Sequence, residues 1–574
     1  MRKYAIFVLA ACCQLAVFAQ PVASIVGPGK SVDPYKYSIV KKADFSKASV
    51  SSAHPLASMV GAAIMKEGGN AFDAAIATQL TLAVVYPGAG NIGGGGFLLA
   101  RKSNGELIGI DYREAAPEKA SRDMYLDKNG NAQSALSLSG HLASGIPGTI
   151  AGLFATMPYA KLPFRQLIQP AIDLAEKGFA ISEREASSLN GVHDAFLKYS
   201  TRPTAFVKEN GKWKAGDTLI QKELAATLKR IQKEGAIGFY GGETAKLIVD
   251  EMQRGNGIIS LDDLKNYTAK LRKPLEFEYR GHQVISFAPP SSGGILIAQM
   301  LKMIEKYPVG SYGFQSTKSV QLMIEAERRA YADRAEHMGD PDFYHVPVKT
   351  LMSDAYAAQR MSDYNPDKAG VSSAVKAGVI KESEETTHLS VIDAAGNMVS
   401  VTTTLNGGYG SRTVVGGAGF LMNNEMDDFS SKPGVPNMYG AVGGEANAIA
   451  PGKRMLSSMT PTLVLKGNKP YVVVGTPGGT TIPTSVYQAI VNLVDFNMNA
   501  DDAINKPKFH HQWLPDEVAV ERDFDAETKK QLQAMGYKLV ERGAIGRTEA
   551  IRVLSNGKRE TVADKRGDDS VAGF

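Results

Sequence analysis

The stretch from residue 386 to residue 406 constrains the fold more than any other part of the chain. Thr386-Thr387-His388-Leu389-Ser390-Val391-Ile392-Asp393 is rich in strand formers, as is the run from Asn397 to Asn406. Only Ala394, Ala395 and Gly396 separate them. Three residues with glycine last make a common hairpin loop, a type I turn followed by a left-handed glycine. With Asp393 opposite Asn397, stepping back along both strands brings Thr386 opposite Thr404. Directly opposed residues share a face, with Cβ atoms ~4.5–5.5 Å apart, so the two hydroxyls come within hydrogen-bonding reach. Asn406 projects from the same face as Thr404. Threonine is also an ordinary strand former, and a slip of one residue would turn every side chain to the other face. The hairpin alone therefore assigns no chemistry.

Around it the pattern is layered. Residues 51–85 read as helical: a short helix over 56–66 stops at Gly68-Gly69, and Asn70 caps a second, apolar helix that runs to Val85 before Pro87 and Gly88. Phe97-Leu98-Leu99-Ala100 and Leu107-Ile108-Gly109-Ile110-Asp111 read as strands. Residues 163–273 are mostly amphipathic helix, 219–234 being typical, and 365–385 are polar and read as exposed. Beyond Lys381, short β-branched runs alternate with glycine turns at 388–393, 398–405, 419–422, 461–466 and 471–475. A helix over 483–497 follows, with Val486, Ile490, Leu493 and Val494 on one face. Helices, strands and helices again within one long chain fit a layered α+β architecture.

Composition excludes some functions and locates the chain. The 64 basic and 59 acidic side chains leave +5, with no basic block and no nucleic-acid reading motif. Arg2 and Lys3 precede an apolar run from Ala5 to Val17, and Val17-Phe18-Ala19 offers a cleavage site before Gln20. This is the layout of a signal peptide over residues 1–19, too short to span a bilayer, and it predicts export to the periplasm or beyond. A second reading takes Leu9-Ala10-Ala11-Cys12 as a lipoprotein box with an unusually short apolar stretch. Both cysteines, Cys12 and Cys13, lie in this leader.

Three other signals carry little. Gly88-x-Gly90-x-x-Gly93 has dinucleotide-binding spacing but follows a helix and leads into a strand, the reverse of what a pyrophosphate needs, so close backbone packing explains it better. His510-His511 has no third ligand at workable spacing, so no metal is expected and none of the motifs calls for a cofactor. No Gly-x-Ser-x-Gly elbow is present.

Glu385-Thr386-Thr387-His388-Leu389-Ser390-Val391-Ile392-Asp393, Gly396-Asn397 and Thr404-Leu405-Asn406 together resemble the bacterial γ-glutamyltranspeptidases. So do Asn423-Asn424-Glu425-Met426-Asp427-Asp428-Phe429, Pro433-Gly434-Val435-Pro436-Asn437-Met438-Tyr439-Gly440, Leu456-Ser457-Ser458-Met459, Gly475-Thr476-Pro477-Gly478-Gly479 and Asp111-Tyr112-Arg113-Glu114. The motifs occur in order from about Ser51 to the C-terminus. The resemblance implies the four-layer αββα sandwich of the N-terminal-nucleophile hydrolases. It also implies a precursor that cuts itself between Glu385 and Thr386, giving a large subunit (20–385) and a small one (386–574) entwined in one core.

The implied chemistry suits the residue types. A threonine hydroxyl needs a base, and cleavage frees the Thr386 α-amine, ordinarily of pKa ~7.7–8.0, to accept its proton. Thr404 would orient the hydroxyl. Gly478 and Gly479, ahead of a helix, let backbone N–H groups approach an oxyanion. Arg113 can grip a donor's α-carboxylate through two parallel hydrogen bonds, assisted by Ser457 and Ser458, while Asn406, Glu425 and Asp428 hold its α-ammonium. Tyr439 falls in a segment resembling a lid. The implied donors are small γ-glutamyl compounds such as glutathione, with water, amino acids or short peptides as acceptors. Leu389, Thr403, Gly407-Gly408 and Thr480-Thr481 depart from the bacterial pattern without removing a group that meets substrate. The rival of the same fold is an acylase acting on glutaryl-type amides, whose substrates need no ammonium.

Overall fold

The hairpin forms in the register its turn dictates. Thr386–Ile392 pairs antiparallel with Met398–Thr404, placing Thr386 opposite Thr404. Gly396 has φ +85°, the left-handed conformation that closes such a loop, and its N–H donates to the Asp393 carbonyl at 3.2 Å. The Asp393 carboxylate accepts from the Ala395 and Asn397 amides at 2.9 and 3.0 Å, and from Ala71 N–H at 3.0 Å. That last bond pins the turn to the start of the helix Ala71–Val85.

The structure, a computed structural model, describes residues 32–374, 386–430 and 444–574. The expected leader with Cys12, the residue before the cut, Glu385, and the lid tyrosine, Tyr439, lie outside the described residues.

The hairpin sits at the centre of a seven-stranded antiparallel sheet. Its order is Ser570–Gly573, Ser49–Ser52, Thr386–Ile392, Met398–Thr404, Gly95–Arg101, Leu107–Asp111, Lys270–Leu271. A second seven-stranded sheet runs Lys42–Phe45, Arg559–Val562, Glu549–Val553, Lys469–Gly475, Thr462–Lys466, His282–Ser286, Leu275–Tyr279. Phe97, Leu99, Phe287, Met398, Leu463 and Val473 fill the space between the sheets. Helices Pro55–Lys66, Ala71–Val85, Phe164–Lys177 and Lys222–Glu234 cover the outer face of the first sheet; Gly293–Glu305, Thr317–His337 and Thr481–Val494 cover the second. The architecture is an αββα sandwich. Residues before and after the 375–385 segment supply strands to both sheets, so neither part of the chain owns a core.

Local chemistry explains where elements begin and end. The Asn70 side chain accepts from the Phe72 and Asp73 amides, and Asp73 reaches back to Asn70 N–H at 2.8 Å, a complete capping box. Every residue of Ala71–Val85 is buried, as expected of a helix apolar all round. Three expectations are corrected. Ser51 and Ser52 belong to a strand rather than a helix. Leu219 lies in the short strand Thr218–Leu219 and the helix starts at Lys222; the intervening Gln221 donates its side-chain amide to the Val84 carbonyl at 2.7 Å. Residues 419–422 make only an isolated bridge, Val414 to Leu421, because Gly417 and Gly419 take φ +81° and +75°, which a strand cannot hold.

Candidate functional site

Thr386 begins its strand, 6% exposed, with Thr404 opposite. The Thr404 hydroxyl accepts from Asn406 N–H at 2.7 Å, and Asn91 Nδ2 donates to the Thr404 carbonyl at 2.8 Å. Beyond the strand the chain turns sharply. Asn406, Tyr409 and Arg412 have φ of +73°, +61° and +64°, a concentration of non-glycine residues in the left-handed region that marks stored strain. Asn424 holds this turn from both sides: its carbonyl accepts from Asn406 Nδ2 at 3.0 Å and its Oδ1 from Gly407 N–H at 2.8 Å.

The paired glycines lie where the sequence placed them, although the helix behind them starts at Thr481 rather than Pro483, with the proline tolerated in the first turn. Gly478 and Gly479 take φ +134° and +54°, and a Cβ on Gly478 would meet Thr481 Oγ1 at 2.4 Å. The Gly478 carbonyl accepts from Thr481 N–H at 3.0 Å and Oγ1 at 2.7 Å. The loop is clamped from behind, where Tyr331 OH donates to the Thr480 carbonyl and Thr480 Oγ1 to Gln512. Thr386 and Gly478 line one cavity of about 320 Å³.

On the other side of the hairpin lies a buried cluster of charges. Arg113 follows the strand Leu107–Asp111 and is wholly buried. Its guanidinium donates to Glu425 and Asp428, and to the Met455 and Leu456 carbonyls at 3.3 and 3.2 Å. A third carboxylate, Glu114, lies 3.6 Å from Nη1. One buried cation thus faces three acids. Burial, reinforced by the neighbouring Asp428 charge and opposed by Arg113, pushes Glu114 up to about 7. Burial also raises Asp428, and burial with the Glu114 and Asp428 charges holds Glu425 well above the usual range. Neither Glu114 oxygen, nor Glu425 Oε2, receives a hydrogen bond from an amide or hydroxyl among the described residues. Buried acids in excess of their cation require a proton or a positively charged ligand.

Ser457 and Ser458 flank the cluster. Ser457 Oγ accepts from Met459 N–H at 3.2 Å, and Ser458 Oγ from Arg334 Nη2 at 3.1 Å. Arg334 also donates to Ser292 Oγ at 3.1 Å, and its charge acts on Asp428. The structure therefore brings Arg113, Glu425, Asp428, Ser457 and Ser458 into one neighbourhood and places Thr386, Thr404 and Asn406 together at the strand ends. Sequence reasoning missed Arg334 and the part played by Glu114. The available signal was charge on the buried side of the helix Thr317–His337 and a second charge beside Arg113.

The features set aside behave structurally. His510 bonds Thr484 Oγ1 at 2.8 Å and Gln512 at 2.7 Å, and burial pushes it down to about 3. Among the described residues no three His, Cys, Asp or Glu side chains are grouped to hold a metal ion. A Cβ on Gly90 would meet the Leu82 carbonyl, and one on Gly93 the Leu421 carbonyl, each at 2.1 Å. No helix among the described residues is long and apolar enough to cross a membrane.

An αββα sandwich with a threonine opening a central strand, beside a glycine pair that heads a helix, has the architecture of the N-terminal-nucleophile hydrolases. A cephalosporin acylase from Bacillus halodurans shares it over 96% of this chain and 99% of its own, with a TM-score of 0.82 and 26% identity. The family model for gamma-glutamyltranspeptidase matches residues 57–574, and this chain belongs to that family. It is 47% identical over 530 residues to the glutathione hydrolase proenzyme of Escherichia coli strain K12, covering 92% of this chain and 91% of the relative. A chain of the Helicobacter pylori gamma-glutamyltranspeptidase covers 56% of this one and 93% of itself, at 46% identity and a TM-score of 0.56. The protein is accordingly an enzyme of the γ-glutamyl transferase and hydrolase type.

Proposed function

We propose that this chain is an exported, self-cleaving γ-glutamyl transferase and hydrolase that uses Thr386 as its nucleophile and glutathione as a donor. In processing, Thr386 Oγ attacks the Glu385 carbonyl and displaces the Thr386 nitrogen. Water then hydrolyses the resulting ester, leaving a Glu385 carboxylate and a free Thr386 α-amine. The products are residues 20–385 and 386–574, and their interleaved strands keep them together. The basic and apolar leader at residues 1–19 supports export.

In turnover the α-amine accepts the Thr386 hydroxyl proton as Oγ attacks the γ-carbonyl of the donor. Gly478 and Gly479 face the oxyanion, where one such donor is worth ~3–4 kcal/mol of transition-state stabilisation. Collapse expels the leaving amine with the proton and leaves a γ-glutamyl ester on Thr386. Water, an amino acid or a short peptide then attacks that ester. Thr404 orients the Thr386 hydroxyl.

The observation that carries the substrate reading is the charge imbalance around Arg113. A γ-glutamyl donor presents an α-carboxylate and an α-ammonium at the end remote from the scissile bond. Its carboxylate takes over Arg113, with Ser457 and Ser458 beside it. Its ammonium takes the place beside Glu425 and Asp428 that Arg113 gives up, next to Asn406. A glutaryl amide offers the chain without the ammonium and would leave these acids uncompensated. Comparing γ-glutamyl- and glutaryl-p-nitroanilide tests this: the expected result is strong preference for the first. Preference for the second would replace this reading with that of a side-chain acylase.

A further inference from the structure

Tyr331 and Arg334 stand three residues apart on the helix Thr317–His337, which places them as neighbours on one face, ~5–6 Å apart at Cβ. Each reaches a different part of the site. Tyr331 donates its hydroxyl to the Thr480 carbonyl, directly behind Gly478 and Gly479. Arg334 donates Nη2 to Ser458 Oγ and Nε to Ser292 Oγ, both at 3.1 Å. One helical face therefore holds both the loop that meets the oxyanion and the serine pair that meets the donor's carboxylate.

The support is rigid on both sides. Every residue of the helix from 319 to 335 is buried. The Tyr331 ring stands edge-on to His510, centroids 5.7 Å apart, and His510 bonds Gln512 at 2.7 Å, which accepts the Thr480 hydroxyl. Thr480 is thus held at its carbonyl and at its side chain. Ser292 carries the Arg334 contact onward, its amide and hydroxyl donating to the Ser457 carbonyl at 2.7 and 2.8 Å. It caps the helix Gly293–Glu305, whose first residue must lack a side chain: a Cβ on Gly293 would meet Thr460 Oγ1 at 1.9 Å. Ser457 and Ser458 are accordingly fixed by two helices at once.

The direction of these bonds decides what the serines can offer. A guanidinium only donates, so Ser458 Oγ accepts from Arg334 and keeps its own proton to give. Ser458 is partly exposed, while Arg334 and Ser292 behind it are buried, which leaves the ligand side open to that proton. Without Arg334 the hydroxyl is free to turn and present its lone pairs to a carboxylate instead. We propose that Arg334 and Tyr331 are positioning residues for the two ends of the donor. Arg334 orients the Ser458 hydroxyl to donate to the α-carboxylate, and Tyr331 sets the Gly478-Gly479 loop at the carbonyl under attack. These roles rest on the γ-glutamyl donor reading. Because both side chains stand on one buried helix, the donor is gripped at both ends from a single frame.

Arg334 also acts on Asp428 through its charge, so the test must separate the carboxylate end from the ammonium. γ-Glutamyl- and 4-aminobutyryl-p-nitroanilide share the amine and differ only in the α-carboxylate, so effects through Asp428 cancel in their ratio. Wild type should strongly favour the first in kcat/KM. Arg334→Met should cut that preference about tenfold or more, the scale of a hydrogen bond to a charged group. Arg334→Lys, which keeps a donor and the charge beside Asp428, should fall between the two. Such a ratio is independent of how much of each variant is folded and active. Tyr331→Phe should lower kcat severalfold, per mole of cleaved chain and equally for both donors, with KM and the preference within about twofold of wild type. An unchanged preference in both Arg334 variants overturns the first role. A Tyr331→Phe enzyme with wild-type kcat, or with an altered preference, overturns the second. Wild-type enzyme indifferent to the missing carboxylate would instead refute the donor reading itself.

Discussion

One helix, Thr317–His337, serves two buried charge clusters, and they are built on opposite principles. Near its middle, one buried acid, Glu325, lies between two buried cations, Arg328 and Arg329, whose other partners, Asp516 and Asp363, reach solvent. Glu325 is fully engaged, by Arg329 at 2.5 Å, by the Tyr537 hydroxyl at 2.6 Å and by Gly370 N–H at 3.0 Å. Burial works to raise this carboxyl, yet the two arginines hold it below its ordinary value. Asp516 is lowered in the same way, burial being outweighed by His511 and Arg328. At its far end the helix contributes Arg334 to the group around Arg113, where Glu114, Glu425 and Asp428 are all raised. A buried acid outnumbered by the buried cations around it makes a brace. Acids left in excess make a place for something positive to bind.

That contrast can be broken from either side. Arg329→Met removes one of the two cations that hold Glu325 and should cost about 3–5 kcal/mol of stability, because Glu325 is left buried and undercompensated. Urea unfolding reads the loss, and KM for γ-glutamyl-p-nitroanilide should stay within about twofold, since hydrogen bonds rather than substrate depend on this arginine. Arg113→Lys keeps the charge but loses the planar fork. A drop of about a hundredfold in kcat/KM is expected, from two charge-assisted bonds of ~1.5–3 kcal/mol each that Lys only partly replaces. Its unfolding midpoint should move far less than that of Arg329→Met.

The smallest effect sharpens the contrast through pH. Glu114 is raised from 4.5 to about 7, so across that interval the folded chain holds a proton that the unfolded chain has released. Stability contributed by this group is therefore lost as pH rises through the interval. Glu325, held below 4.5, has the opposite sign: its contribution is present above its unfolded pKa and lost on acidification. Thermal melts at about pH 5 and about pH 7.5 should show Glu114→Gln losing less stability on going to the higher pH than wild type does. An identical decline in both would mean that Glu114 is ionised throughout.

What could be read from the sequence was local or carried by ordered motifs. The turn Ala394-Ala395-Gly396 set the register of its own strands, and Asn70 with Asp73 fixed a helix start within a few residues. Resemblance then supplied Arg113, Glu425 and Asp428, whose contacts span more than three hundred residues and leave no local trace. The errors lie where tertiary contacts override pattern. Gln221 reaches Val84 instead of extending a helix, and the left-handed Gly417 and Gly419 stop the apolar run at 419–422 from becoming a strand. Glu114 stood in plain sight beside Arg113, but its significance is the count of charges around one guanidinium, and only the folded chain assembles that count.

The central claim is that a peptide bond opens to give Thr386 a free amine. Intact-mass analysis and N-terminal sequencing of purified, active protein test it directly. The account expects two chains, one beginning Thr386-Thr387-His388, and a single uncut chain in Thr386→Ala. Full activity in material that remains one uncleaved chain would contradict it.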